Sequence, residues 1–458
     1  MKNKMEENTN KKVIVRFAPS PTGRFHIGGV RSALFNYLFA KHNSGTFILR
    51  SDDTDKERSK GEYEDEILEV FKWLGLDYDK FFRQSERGEI YKKYLQKMID
   101  DGFAYVSKEE KKEVGDRDEV IRYKNPNKKI TFNDLILGEI SVNTDDLGDF
   151  VLAKDLDTPI YHTTSIIDDF EMEITHVIRG QEHTVNTIRQ ILIQEAIGAQ
   201  RPIYAHIPLI LNSERAKLSK RDPLVLPAIQ YKELGYLPEG ILNFLALIGW
   251  NPGGEQEIFS LPELIDKFDL SKVQKGAGIF NSEKLEWINK EHIKLMPEKN
   301  RNEKILEWLT KNEILTEKEK LQDENFMSKL FPIIFDRISK WGDVDTLVSA
   351  GELQYFFAEP QYKKEMLVWK DSSLENAKKH LRHVAEILEK APADSFDGVE
   401  KIKSLIFDYA TEEGRGNVLW PLRVSLSGKE KSPDPFTLIY ILGREESVKR
   451  INEAIIKI

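Results

Sequence analysis

The chain has 458 residues, 40% hydrophobic and 10% aromatic, enough for more than one buried core and for about three domains of ordinary size. Lys plus Arg (68) against Asp plus Glu (77) leaves a net charge of −9, so contact with nucleic acid has to come from local basic patches. Cysteine is absent, which excludes disulfides, thiolate nucleophiles and Cys-ligated zinc or iron–sulfur sites.

The polar start, residues 1–12, carries no secretory apolar region and reads as a disordered tail. No later apolar run approaches the ~20 residues needed to span a bilayer, so a soluble cytoplasmic protein with no membrane partner is expected. Val13 to Ala18 is a β-rich run interrupted by Pro19-Ser20-Pro21-Thr22-Gly23, whose prolines exclude helix and central strand. Val30, Leu34, Phe35, Leu38 and Phe39 then recur at helical spacing, and Thr46 to Arg50 is a second strand. Strand, helix and strand at this spacing predict a right-handed βαβ unit and a parallel sheet.

Ser59 and Glu62 have the spacing of a capping box, opening a helix with Ile67, Leu68, Phe71 and Leu74 on one side and Gly75 at its end. Another helix, with Tyr91, Leu95 and Met98, ends at Gly102. Periodicity then falls, leaving Ile121 to Tyr123, Thr131 to Phe132 and Ile140 to Val142 as short strands of an insertion. The α/β pattern resumes with a strand at Ile174 to Ile178, a helix from Thr184 to Ile197 closed by Gly198, and a β-rich segment from Ile203 to Leu211. A charged loop, Ser213 to Asp222, follows, and beyond Pro223 only helical spacing recurs. The expected architecture is a split α/β domain, an insertion and an all-helical C-terminal half.

Two segments can carry chemistry. Pro19 to Gly29 lies between a strand's C-terminal end and a helix's N-terminus, where unpaired N–H groups and the dipole favour anions. There Gly28 and Gly29 let backbone approach a phosphate, and His26 stands two residues upstream; an ordinary glycine-rich turn is the alternative. Lys217-Leu218-Ser219-Lys220-Arg221 sets three cations and a hydroxyl on the loop after the second half's β-rich segment. Most charge runs are solvated surface, but a loop here can close over the phosphate site and offset charge on leaving oxygens.

Together the two segments resemble the HIGH and KMSKS signatures of class I aminoacyl-tRNA synthetases. Arg16 to Gly23, Arg50-Ser51-Asp52-Asp53-Thr54-Asp55, Ile174 to Gly180 and Leu419 to Arg423 narrow the resemblance to the bacterial glutamyl-tRNA synthetases, over nearly the whole chain after Lys12. The resemblance implies an α/β fold: a Rossmann-type parallel-sheet catalytic domain (13–104 and 161–225) split by an α+β acceptor-stem-binding insertion (105–160). A helical stem-contact domain (226–300) and an all-helical anticodon-binding domain (301–458) would follow.

It further implies ATP-dependent activation of L-glutamate and transfer of glutamyl to the terminal adenosine of tRNA(Glu), by a monomer, with Mg2+ accompanying ATP and no zinc. Whether tRNA(Gln) is also charged stays open. By similarity, His26 and Lys220 are catalytic. Gly28, Gly29, Glu182, Lys217, Ser219 and Arg221 join them around ATP. Arg16, Ala18, Ser20, Asp52, Tyr161, Ser165 and Arg179 surround glutamate, the two arginines gripping carboxylate and Asp52 facing the amine. Arg16 can alternatively pair with the Asp52–Asp55 cluster, whose Asp53 and Asp55 brace the following segment. Asp52 replaces the family's usual Glu and Ser165 its common Asn. Lys378 to His383 and Lys401 to Lys403 are candidate RNA contacts, with Trp341, Tyr355, Phe356 and Trp420 as candidate stacking surfaces, although tryptophans such as Trp341 and Trp420 are more often core.

A glutaminyl-tRNA synthetase, favoured by Asp52-Asp53, would need a β-barrel C-terminal half. A tRNA-modifying glutamylation enzyme would lack the helical half, and an inactive paralogue would be expected to have lost His26 or Lys220.

Overall fold

The computed structural model describes residues 12–109, 118–216, 226–313, 315 and 318–458. β1 (Ile14–Phe17) leads into the Pro19–Gly23 turn, α1 (Ile27–His42) returns, and β2 (Thr46–Ser51) lies parallel to β1. α2 (Gly61–Leu74) and β3 (Lys80–Arg83) complete a three-stranded parallel sheet of order β1-β2-β3. α3 (Gly88–Asp100) leads into β4 (Ala104–Lys108), β5 (Glu119–Tyr123), β6 (Lys129–Asp134), β7 (Gly138–Asn143) and β8 (Phe150–Ala153). α4 (Tyr161–Glu171), β9 (His176–Gly180), α5 (Thr184–Ile197) and β10 (Ile203–Ile207) follow.

β9, β10 and β6 pair in parallel, and β7 is antiparallel on β6, giving the order β7-β6-β10-β9. β1 and β9 lie side by side, joined by a bond from Thr175 N to Ile14 O at 2.9 Å. α1 ties the halves from one face, with Asn36 Nδ2 donating to Ile178 O at 2.9 Å and Arg31 Nη1 to Pro208 O at 2.6 Å. α1 is buried nearly all round, from Val30 through Ala40, as expected of a helix between a sheet and further helices. Gly75 (φ 68°) and Gly198 (φ 72°) end α2 and α5 in the left-handed conformation that glycine adopts without strain.

β11 (Ile210–Leu211), α6 (Ala228–Glu233), α7 (Pro238–Leu247), α8 (Leu261–Lys267), β12 (Gly278–Ile279) and α9 (Ser282–Leu295) complete this part, β12 pairing with β11. The chain divides into two units between His292 and Ile293, inside α9. The second unit holds α10 (Glu298–Lys311), α11 (Glu324–Arg337), α12 (Asp343–Ser349), α13 (Gln354–Phe357), α14 (Leu374–Lys390), α15 (Val399–Glu412), α16 (Arg415–Ser427) and α17 (Pro435–Lys457), the last kinked at Gly443. Among the described residues no helix is long and apolar enough to cross a membrane.

The strands expected in the insertion are present as β5, β6 and β7, but they do not form one module. β4, β5 and β8 make a separate antiparallel sheet, whereas β6 extends the main sheet beside β10. Four strands and a helix lay below sequence detection: β3 and β4 are short with little buried surface, β8 has four residues, β12 has two and interrupts the stretch beyond Pro223 expected to be helical throughout, and α4 is rich in β-branched residues that mimic a strand. The expected capping box is absent. Lys60, not Ser59, precedes α2, and Ser59 Oγ is buried without a partner among the described residues.

The α1–β2 turn is closed by backbone contact. A Cβ on Gly45 would sit 2.5 Å from Val13 O, and Thr46 N donates to that same oxygen at 2.7 Å. No side-chain movement relieves a clash with backbone, so Gly45→Ala should destabilise the first unit by about 1–3 kcal/mol. The urea midpoint of that unit measures it, and an unchanged midpoint contradicts the packing described.

Candidate active site

A cleft of about 1260 Å³ opens at the C-terminal ends of β1, β2 and β9. Its wall includes Arg16 of β1, Ala18 and Ser20 after β1, Asp52 after β2, and His26, Gly28 and Gly29 at the start of α1. Tyr161 from α4, Arg179 from β9, Glu182 beyond it and the Ile207–Ile210 segment complete it. Most of the residues expected around glutamate and ATP therefore share one cleft. Ser165 does not line it: the side chain is buried behind, with Oγ accepting from Arg50 Nη2 at 3.4 Å. Lys217, Ser219, Lys220 and Arg221 lie outside the described residues. The described chain on either side of them borders the cleft, since Ile207–Ile210 line it and Pro227 forms a β-bridge with His26.

The double-proline turn brings these pieces together through its carbonyls. Pro19 O accepts from Asp52 N at 2.9 Å and Pro21 O from Lys60 N at 3.0 Å, holding the end of β1 against the end of β2. His26 is the N-cap residue of α1, in extended conformation (φ −115°, ψ 165°), and its O accepts from Gly29 N and Val30 N. Its imidazole lies against Gly28, where a Cβ would be 3.2 Å from ring atoms. A side chain at 28 would therefore displace the imidazole from the first helical turn, where an anion is favoured. The Glu182 carboxylate folds back over Gly180, leaving no room for a Cβ there.

Beneath the cleft lies a network of buried charges. Arg50 near the end of β2 and Asp52 just beyond it lie two residues apart, and Arg50 Nε donates to Asp52 Oδ1 at 2.6 Å. Arg50 Nη1 reaches Asp169 Oδ1 at 2.8 Å, and Asp169 accepts two further bonds from Arg16, at 3.0 and 3.3 Å. The neighbouring Asp168 accepts from Arg87 Nε (2.7 Å), Tyr91 Oη (2.7 Å) and Gln84 Nε2 (2.9 Å). Arg16 thus pairs with Asp169 of α4 and not with the Asp52–Asp55 cluster. Burial pushes the Asp169 carboxyl up, but Arg16 and Arg50 overcome it and hold the group below its ordinary value. At Asp52 burial wins over Arg50, and the carboxyl is pushed up to about 6. Asp53 accepts from Ser85 N and Oγ, bracing the turn after β3, and Asp55 binds Arg58 three residues on. Asp168 and Asp169 escaped sequence reasoning; the signal was an acid pair directly after the apolar Ile166-Ile167.

Arg179 is different. Its side chain is buried (7% exposed) yet forms no ion pair among the described residues. It is held by neutral acceptors instead: Thr187 Oγ1 at 2.7 Å, Gln190 Oε1 at 2.6 Å and His206 Nε2 at 3.3 Å. Burial keeps the guanidinium below its ordinary value, as for a cation lacking a counterion. An anionic ligand in the cleft would supply one.

In the helical unit the proposed stacking residues are structural. Trp341, Tyr355 and Phe356 are buried, and Trp420 donates Nε1 to Met366 O at 2.8 Å beside Trp369. His380 is buried against Tyr409 Oη, whereas exposed Lys379 and Lys401 and half-buried Lys403 pair with Glu413, Asp397 and Glu400.

Comparison with known proteins covers almost the whole chain. Residues 12–119 and 107–287 match the catalytic domain of class I tRNA synthetases (E and Q), and residues 300–455 match an anticodon-binding domain. A glutamate–tRNA ligase of Carboxydothermus hydrogenoformans is 39% identical, across 96% of this chain and 99% of its own. One from Aquifex aeolicus is 38% identical across 96% and 98%. The crystal structure of a glutamate tRNA ligase from Elizabethkingia meningosepticum, in complex with its amino acid, superposes with a TM-score of 0.83 at 33% identity, covering 97% of this chain and 99% of that one.

Three histidines of the first unit, His162, His176 and His183, are kept neutral chiefly by burial, each lowered from 6.5 to about 4. The unfolded chain takes up these protons near 6.5 and the folded chain only near 4, so their stabilising contribution is complete above 6.5 and lost as pH falls through that window. Asp52, raised to about 6, works in the opposite direction, but as one group against three. The thermal midpoint of the first unit should therefore drop between about pH 7 and about pH 5; a flat or rising midpoint contradicts the buried neutral imidazoles.

Proposed function

This chain belongs to the class I glutamate–tRNA ligases, and we propose that the cleft residues divide its ATP-dependent charging of tRNA with glutamate as follows. Arg179 receives a glutamate carboxylate. The observation that carries this reading is its buried guanidinium with no counterion among the described residues, beside a network in which Arg16 and Arg50 already have theirs. Arg16, Ala18, Ser20 and Tyr161 line the same subsite, and Asp52 meets the ammonium group at its edge. Ser165 acts indirectly, through Arg50.

His26, Gly28 and Gly29 hold the α-phosphate at the start of α1, with Glu182 nearby on the ATP side. A glutamate α-carboxylate oxygen attacks the α-phosphorus, the bond to the bridging oxygen of the β-phosphate breaks, and pyrophosphate leaves. The substrate carboxylate is already a nucleophile, so positioning and charge stabilisation are the protein's main work in this step. Lys217, Ser219, Lys220 and Arg221 would offset charge on the departing pyrophosphate. Mg2+ would enter with ATP and would supply positive charge to its phosphates. A terminal ribose hydroxyl of tRNA then attacks the acyl carbon and AMP leaves.

Action as a monomer is part of the same proposal, and a size measurement in solution tests it. The helical unit supplies the tRNA-recognising part, and charging assays with purified tRNA(Glu) and tRNA(Gln) decide between one substrate and two.

Two variants test the assignment. Arg179→Gln should cost about 3–5 kcal/mol in kcat/KM for glutamate, because a carboxylate would be left in a dry pocket without its partner; near-normal kinetics would move glutamate elsewhere. His26→Ala should lower kcat by about 10²–10³ with little change in the glutamate KM, as expected of an interaction made mainly in the transition state. A raised KM at unchanged kcat would assign His26 to ground-state binding instead.

A further inference from the structure

We propose that Asp134 and His206 are positioning residues that aim Arg179 at the substrate carboxylate; this rests on the assignment of Arg179 to glutamate made above. Arg179 reaches across from β9 to His206 on β10, where Nε–H points at the imidazole Nε2 at 3.3 Å. For Nε2 to accept that bond the ring proton has to sit on Nδ1. Asp134 Oδ2, at the end of β6, lies 2.6 Å from Nδ1 and selects that tautomer. Thr187 Oγ1 completes the set, 3.0 Å from His206 Nε2 and 2.7 Å from Arg179 Nη2.

Asp134 is itself held rigidly. Its Oδ1 accepts from Ile136 N and Leu137 N, both at 2.9 Å, and its Oδ2 from His206 N at 3.0 Å. His206 and Asp134 are both buried, at 0% and 2% exposure, so neither answers to solvent. The relay runs from a backbone turn after β6, through a carboxylate and an imidazole, to the guanidinium. It explains why β6, in the segment that otherwise departs from the α/β pattern, is built into the main sheet beside β10. The only residue of β6 in register with β10 is Asp134, opposite Tyr204.

Because His206 accepts from Arg179, its protonation would replace an acceptor with a second cation beside the guanidinium. The groups facing it are Asp134 from β6, Arg179 from β9, Glu182 and His183 from the turn after β9, and Tyr204 stacked on the same strand. Burial and Arg179 hold the imidazole below its ordinary value, outweighing Asp134, and so keep it the neutral acceptor the geometry requires.

The test is tRNA(Glu) charging by the full chain carrying Asp134→Asn, His206→Leu, His206→Gln or Arg179→Gln. Asp134→Asn and His206→Leu should raise the glutamate KM about tenfold or more, through a misplaced guanidinium, while the ATP KM and saturated kcat stay within about twofold. His206→Gln keeps an amide oxygen as acceptor and should recover part of the loss; it should also flatten the acid limb of the kcat/KM profile for glutamate. In the Arg179→Gln background, Asp134→Asn should add little, since both act through one group. If Arg179→Gln is crippled while Asp134→Asn and both His206 variants keep the wild-type glutamate KM, the relay is overturned and the Arg179 assignment stands. If Arg179→Gln itself uses glutamate normally, that underlying assignment fails first. Equal losses in kcat and in both KM values, or a full additional loss in the double variant, would make the pair merely structural.

Discussion

A neutralised cluster of buried charge organises the floor of the cleft. Arg16, Arg50 and Arg87 face Asp52, Asp168 and Asp169, and most of their polar atoms are bonded within the group. Burying such ions is expensive, and the arrangement holds because each charge has a partner at hydrogen-bonding distance. Removing Arg50 would leave Asp52 without its partner, and removing Asp169 would leave Arg16 without its own. The cluster joins the end of β2 to α4 and the end of β1, so it also sets the relative position of the cleft walls.

Against this background Arg179 acquires its meaning. The protein contains several buried guanidiniums, and what separates them is the chemistry of their partners. Arg16 and Arg50 spend their charge on aspartates, whereas Arg179 is oriented by a threonine, a glutamine and a neutral imidazole. Neutral acceptors fix direction without cancelling charge. The result is a cation that is positioned yet electrostatically unsatisfied, a suitable receptor for a carboxylate entering from solvent.

α1 provides the second constraint. Its first turn carries His26 and Gly28 at the cleft, and its later turns bond Ile178 O and Pro208 O of the other half. The helix that presents the phosphate-binding turn is therefore also the joint between the two halves of the sheet, so the nucleotide end and the amino-acid end of the cleft share one rigid element.

Much of this was legible locally. The broken strand at Pro19–Gly23, the glycine stops at 75 and 198 and the apolar face of α1 depend on residues close in sequence, and the motifs at His26 and Lys220 carried the family resemblance. Charge partnerships were not legible. Arg16 and Asp169 lie 153 residues apart, and nothing at position 16 distinguishes that partner from the nearer acids at 52 to 55. The same holds for Ser165, which aligned with a substrate contact yet turns toward Arg50, and for Asp134, whose link to His206 exists only because β6 joins β10. The aromatic residues of the helical half show the limit from another side: Tyr355 and Phe356 read as candidate stacking surfaces and helix assembly buried them, whereas Trp341 is in the core, as tryptophans more often are. Backbone conformation follows short-range sterics and so is written in adjacent residues. Which ion meets which, and which ring meets solvent, depends on distances that exist only after the strands have paired.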